Sequence, residues 1–274
     1  MSRLRQVVVV ADSLDDTVKE FCSKLQTFVT YSDPDVAIFG LENAILPIGH
    51  SFVEVVAPIK ANSQDTAAGR YINRFGCGGY MILVQLRDGE AMQNCLLTCS
   101  KNHWEPIHTG SRDENLISKP FSLDGPGFEG NGIAGIHLHP KVTGCIAELS
   151  IQKPRSKWEW AGRKWFTADE RTKIAHSSSI GFAAVVIAAT NHQLIVDNWQ
   201  KALDLPQDRI IKHDHQSTLT LDDDTELIFR NPSHPQENGL VELHVYTTKA
   251  KDVTRTSIGG LDVVLKHPFG KAAL

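Results

Sequence analysis

Two glutamates stand alone among apolar strand residues, Glu54 in FVEVVAP at 52–58 and Glu148 in CIAELSI at 145–151. A carboxylate on a packed face costs free energy unless it is paired, hydrogen-bonded or bound to a cation. Alternation puts Phe52, Glu54 and Val56 on one strand face, and Ile146, Glu148 and Ser150 on another. Such residues suit general acid–base work or the ligation of a hard cation. The alternative is a strand glutamate directed at solvent. His137 and His139 follow the i, i+2 spacing of one strand face and could move protons beside Glu148. His50, Arg70 and Tyr71 could line a mouth and orient an anionic substrate. Two inward carboxylates repel, so without a cation one of them should hold a proton near neutral pH.

The elements that position these residues repeat. An apolar β-branched run leads into an acidic helix start in RQVVVVADSLDDTVKEF at 5–21 and in YMILVQLRDGEAMQNCLL at 80–97. AAVVIAATNHQLIVDNW at 183–199 opens the same way, and GLVELHVYTTKAKD begins a shorter fourth copy. Internal repetition of this kind decides the fold class. We read an α+β chain of tandem βαβββ units that form curled mixed sheets. A first module spans 1–152, a connector 153–179, and a second, truncated and degenerate module 180–274. In the first unit the helix should run from Asp12 or Ser13 to about Leu25. Short strands are expected near 27–31, 35–40 and 52–57. In the second unit a helix is expected near 89–100 and strands near 104–109, 116–121, 134–139 and 145–151. The glycine-rich segment 122–135 reads as a loop. The connector contains Trp158, Trp160 and Trp165 and reads as an amphipathic piece packed across the junction.

Composition narrows the function classes. The chain has 274 residues, 28 Lys+Arg against 32 Asp+Glu, and a formal net charge of −4. No dense basic cluster marks a nucleic-acid partner. No apolar run reaches the roughly 20 residues of a membrane helix. The five cysteines, Cys22, Cys77, Cys95, Cys99 and Cys145, lack paired metal spacing and read as reduced thiols of a cytoplasmic protein.

NAILPIGHSFVEVVAPI with TAAGRYINRFG, and HLHPKVTGCIAEL at 137–149, resemble the vicinal oxygen chelate superfamily and its glyoxalase-like subgroup. This superfamily includes glyoxalase I, methylmalonyl-CoA epimerase, extradiol dioxygenases and bleomycin-resistance proteins. The resemblance covers about 1–151 well and 180–265 weakly. It implies an open barrel of two βαβββ units around a divalent metal, held by one residue of each first strand and one glutamate of each last strand. Carried over by position, the ligands are Gln6, Glu54 and Glu148. The fourth place falls on Met81, where the family usually has His, and a thioether is a poor partner for a hard cation. Ala184 takes the place of Gln6 in the third unit. The implied activity is metal-assisted isomerase, epimerase or lyase chemistry on a small oxygenated or aromatic metabolite. Glu148 or Glu54 would be the base and His139 a helper, with His137, His50, Arg70, Tyr71 and Met81 around the substrate. Extradiol cleavage is disfavoured, because neither first-strand position is His. The alternative is a metal-free small-molecule-binding protein of the bleomycin-resistance type. A homodimer is compatible with either.

Overall fold

A computed structural model describes residues 2–59, 64–113, 118–119, 132–162, 168–249 and 252–268. The chain forms two curled mixed sheets. The first has eight strands in the order β2-β3-β1-β4-β8-β7-β5-β6 and the second seven in the order β10-β11-β12-β9-β13-β15-β14. The first unit runs β1 (Arg3–Val10), α1 (Leu14–Leu25), β2 (Leu41–Ile48), β3 (Ser51–Pro58) and α2 (Ala67–Phe75). The second runs β4 (Gly78–Gln85), α3 (Gly89–Lys101), β5 (His108–Asp113), β6 (Ser118–Lys119), β7 (Gly132–Leu138), α4 (Pro140–Thr143) and β8 (Ile146–Lys153). After α5 (Ala168–Ala175) come β9 (Ser179–Ala188), α6 (His192–Leu203), β10 (Ile210–Lys212), β11 (Gln216–Thr220), β12 (Glu226–Arg230), β13 (Gly239–Thr247), β14 (Thr254–Ile258) and β15 (Leu261–Lys266).

The same frame recurs in both sheets. The first strand of each unit lies parallel to its last, β1 to β3, β4 to β8, β9 to β12 and β13 to β15. The first strands of paired units run antiparallel, β1 to β4 and β9 to β13. Side-chain alternation then sorts the residues. Val7, Val9, Val53, Val55, Ala147 and Leu149 join the core under the helices, with Phe21, Cys95 and Trp199. Val8, Val10, Phe52, Val56 and Leu83 face the concave side of the first sheet with Trp158. Helix starts follow their caps. Ser13, Asp88 and Asn191 each accept a backbone N–H of the first turn.

Four sequence expectations change. No strand forms at 35–40. Pro34 and the Asp33 side chain, which accepts from Asp35 N, start a 3-10 turn over Pro34–Phe39. Residues 27–31 contribute only the bridge Tyr31–Ile45, and the strand is β2. The strand expected at 104–109 starts at His108. Of the loop 122–135, residues 122–131 lie outside the described residues, and 132–135 belong to β7.

The sheets meet backbone to backbone. A Cβ on Gly79 of β4 would run into the Leu240 carbonyl of β13. A Cβ on Gly260 would run into the Cys77 carbonyl, and Gly260 also has φ +81°. Trp199 of α6 donates to Thr143 O at 2.9 Å, which ties the second unit's end to the third's helix.

Candidate functional site in the first sheet

Glu54 is 8% exposed on the concave face. Asn43 Nδ2 of β2 donates to its Oε1 and Gln6 Nε2 of β1 to its Oε2, each at 2.6 Å. Burial raises its proton affinity more than these two donors lower it, and its pKa is pushed up to about 7. The Glu148 charge adds to the rise but is a minor cause. One of the two carboxyls therefore does take its proton near neutral pH, with burial rather than mutual repulsion leading.

Glu148 is 5% exposed on the same face. Its Oε2 lies 2.7 Å from His137 Nε2, and its Oε1 accepts from Trp160 Nε1 at 2.6 Å and from Ser150 Oγ. Burial works against its charge, but the bonds from His137, Ser150 and Trp160 outweigh it and hold the pKa below the usual carboxylate range. Gly135 makes this geometry possible, since a Cβ there would come within 2.6 Å of Glu148 Oε1. The His137 ring packs on His108, centroids 4.9 Å apart.

A strap over 154–162 crosses this face. Trp158 is fully buried and donates to Gln6 Oε1 at 2.9 Å. That bond fixes the Gln6 amide, whose oxygen must face the indole and whose NH2 must face Glu54. Trp160 reaches Glu148, and the Arg112 guanidinium stacks over it at 4.9 Å. Arg112 is anchored to Asp33 at 2.8 Å and to Asp35 at 2.6 Å. Trp158 and Trp160 thus plug the concave face instead of packing across the junction, and Trp165 lies outside the described residues. Sequence reading missed these two, together with Asn43, Ser150, His108 and Arg112. The i, i+2 spacing of Trp158 and Trp160 gives no signal, because Glu159–Ala161 form a 3-10 turn and not an extended segment.

Other expected site residues lie elsewhere. His139 is exposed beyond the end of β7, where its Nδ1 caps α4 by accepting from Lys141 N at 3.0 Å. It does not share the face of His137, because the strand ends at Leu138. The His50 side chain is exposed, and only its carbonyl meets the site, through Arg5. Arg70 is exposed and donates to Asp65 O. Tyr71 donates to Gly79 O at 2.7 Å and stacks on Tyr80, at the margin of the concave cluster. Met81 is half-buried opposite Val8 and packs against that cluster.

The donor set does not fit a hard divalent cation. All four carboxylate oxygens already accept hydrogen bonds from this chain, and Gln6 Oε1 is taken by Trp158. The fourth place is a thioether. Among the described residues, no three His, Cys, Asp or Glu side chains converge as a cation site needs.

The fold is shared with a solved structure along nearly the whole chain. A hypothetical protein from Staphylococcus aureus superposes with TM-score 0.65 at 13% identity, over 97% of this chain and 99% of that one. Methylmalonyl-CoA epimerase in complex with methylmalonyl-CoA and NH4+ aligns with TM-score 0.43 at 17% identity, over 57% of this chain and 97% of its own. The epimerase from Mycobacterium tuberculosis aligns with TM-score 0.39 at 17% identity, over 54% of this chain and 87% of its own. No family model and no curated protein matches the sequence. Among the described residues, no helix is long and apolar enough to cross a membrane. The architecture is one of tandem βαβββ units in two curled mixed sheets.

Proposed function

We propose that the concave face of the first sheet is the proton-transfer site of a glyoxalase-like enzyme acting on a small oxygenated or aromatic metabolite. The supporting observation is a pair of buried carboxyls on one face with proton affinities pushed apart, Glu54 up to about 7 and Glu148 down. Such divergence leaves one carboxyl able to take and give a proton near neutral pH and keeps the other as a fixed anion. In its ionised form Glu54 takes a proton from a carbon beside a carbonyl, and the bonding pair moves onto the carbonyl oxygen. The protonated Glu54 then returns a proton to that carbon as the oxygen pair re-forms the carbonyl; return to the same face exchanges the hydrogen, and an epimer forms when the planar enolate turns its other face to Glu54 first. Gln6 and Asn43 hold the carboxyl in place. Glu148, kept ionised by its donors, orients His137. No step is routed through a metal, because the oxygens that would hold it are occupied by the chain's own donors.

Substrate reaches Glu54 when the strap lifts. The same strap favours a second reading, a metal-free binding protein whose cup is closed by its own indoles. Hydrogen–deuterium exchange separates the two. Phenylpyruvate, acetoacetate and dihydroxyacetone are incubated with the protein in D2O and followed by NMR. An enzyme exchanges at least one of them, at a rate that rises with pH around 7, and Glu54→Gln slows that exchange about 100-fold or more. Exchange at an unchanged rate in Glu54→Gln removes Glu54 from the chemistry. Binding without exchange favours sequestration.

A further inference from the structure

Beneath the strap lies an arginine whose charge, among the described residues, meets no carboxylate. Arg5 is 2% exposed. The register of β1 slips between Leu4 and Gln6, so neighbouring residues break the usual alternation. Leu4 enters the core under the helices, whereas both Arg5 and Gln6 turn to the concave side. The Arg5 guanidinium stands 5.7 Å from the Phe52 ring centroid and 5.2 Å from that of Trp158. One nitrogen, Nη1, donates to His50 O at 2.5 Å. The other two, Nε and Nη2, are buried and have no hydrogen-bond partner. Among the described residues no carboxylate forms an ion pair with Arg5. Arg3 and Arg155 add repulsion, and the Asp223 charge acts only weakly from the second sheet.

Arg112 shows how the chain treats a structural arginine. Its charge is covered by two carboxylates of its own module, Asp33 and Asp35. A buried cation left uncovered is costly. Moreover, the two open nitrogens of Arg5 form the side-on edge of the guanidinium, whose parallel N–H bonds match the two oxygens of one carboxylate. We propose that Arg5 is the receptor for a carboxylate group of the substrate, admitted when Trp158 lifts away. This rests on the reading of the concave face as a substrate site, and it restricts the substrate to carboxylic acids. The acid group docks against Arg5, and the carbon that exchanges its proton faces Glu54, whose Oε2 accepts from Gln6, the residue next to Arg5. Arg70, the arginine that sequence reading offered for this task, is exposed and remote from Glu54's donors.

The test compares phenylacetate with phenylacetamide, and propionate with propionamide, on the intact protein by tryptophan fluorescence and melting temperature. Each pair differs in charge at nearly constant shape. The carboxylates should bind about tenfold or more tighter than their amides, because only they satisfy both open N–H groups. In Arg5→Met that preference should vanish, and the unliganded variant should melt no lower than wild type, since an uncovered buried charge has been removed. Arg5→Lys should also lose the preference, as an ammonium has no side-on edge. Equal binding of acid and amide by wild type overturns the Arg5 assignment and leaves the proton-transfer reading standing. A carboxylate preference that survives in Arg5→Met overturns it too. Binding of neither compound class overturns both.

Discussion

The two sheets share a register and differ in what covers them. In the first, Leu83 lies opposite Gln6 and beside Glu148, and Val8 lies beside Glu54. In the second, His244 lies opposite Ala184 and beside Val264, and Val186 lies beside Ile228. The positions of Gln6, Glu148 and Glu54 are therefore Ala184, Val264 and Ile228. The second sheet keeps a different charged set, in which Glu242 accepts from both His244 and Arg255. Arg255 is 67% exposed, so this set is wet, whereas Glu54 and Glu148 lie under two indoles. The comparison teaches that the shared frame supplies places and the strap supplies dryness. Both sheets hold an acid below the ordinary carboxylate range, Glu242 through His244 and Arg255 and Glu148 through His137, Ser150 and Trp160, each against the pull of burial; of the three acids only Glu54, under the strap, is pushed up.

The largest effect should come from removing the cover. Trp158→Ala deletes a fully buried indole and its bond to Gln6, and should cost about 3–5 kcal/mol in urea unfolding. A loss under about 1 kcal/mol would show that the strap is not integral to the first sheet. The second effect is pH-dependent. Folded Glu54 takes its proton near 7, against 4.5 for an ordinary glutamate. Between those values the fold binds more protons than the unfolded chain, so stability falls as pH rises and the penalty is complete above 7. The slope should total roughly 3 kcal/mol between pH 4.5 and 8 and be absent in Glu54→Gln. The informative quantity is that slope, because a Gln side chain sets one N–H against the donors of Asn43 or Gln6. Identical slopes in both proteins would return Glu54 to the status of an ordinary acid.

In the open sheet Glu242→Gln should cost about 1 kcal/mol or less and fade with salt, since its arginine partner is solvated. A loss comparable to that of Trp158→Ala would erase the contrast between the sheets. The smallest effect concerns cations. Adding Mn2+ or Ni2+ should leave the melting temperature unchanged, because the candidate ligand oxygens already accept bonds from the chain. A saturable upward shift would reinstate Gln6, Glu54 and Glu148 as a metal set.

Much of the frame was legible because hydrophobic periodicity and helix caps are local. The openings at 5–21, 80–97 and 183–199 became β1–α1, β4–α3 and β9–α6. Glu54 and Glu148 were legible because a carboxyl amid valines is costly wherever it sits. The strap was not, since nothing local tells which face a tryptophan will cover, and Trp158 meets Gln6 from 152 residues away. Arg5 was hidden by a slip in β1 that pairing with β4 creates. His139 was misplaced by one turn of chain, as Pro140 stops the strand after Leu138.

The glycine contacts between Gly79 and Leu240, and between Gly260 and Cys77, carry a consequence for how the molecule melts. Main chain presses on main chain at these points and one apolar cluster is shared by both sheets, so neither half can part and keep its core intact. Calorimetry should therefore record one transition with equal van't Hoff and calorimetric enthalpies. Either half expressed by itself would leave bare apolar area, and should be recovered as aggregate.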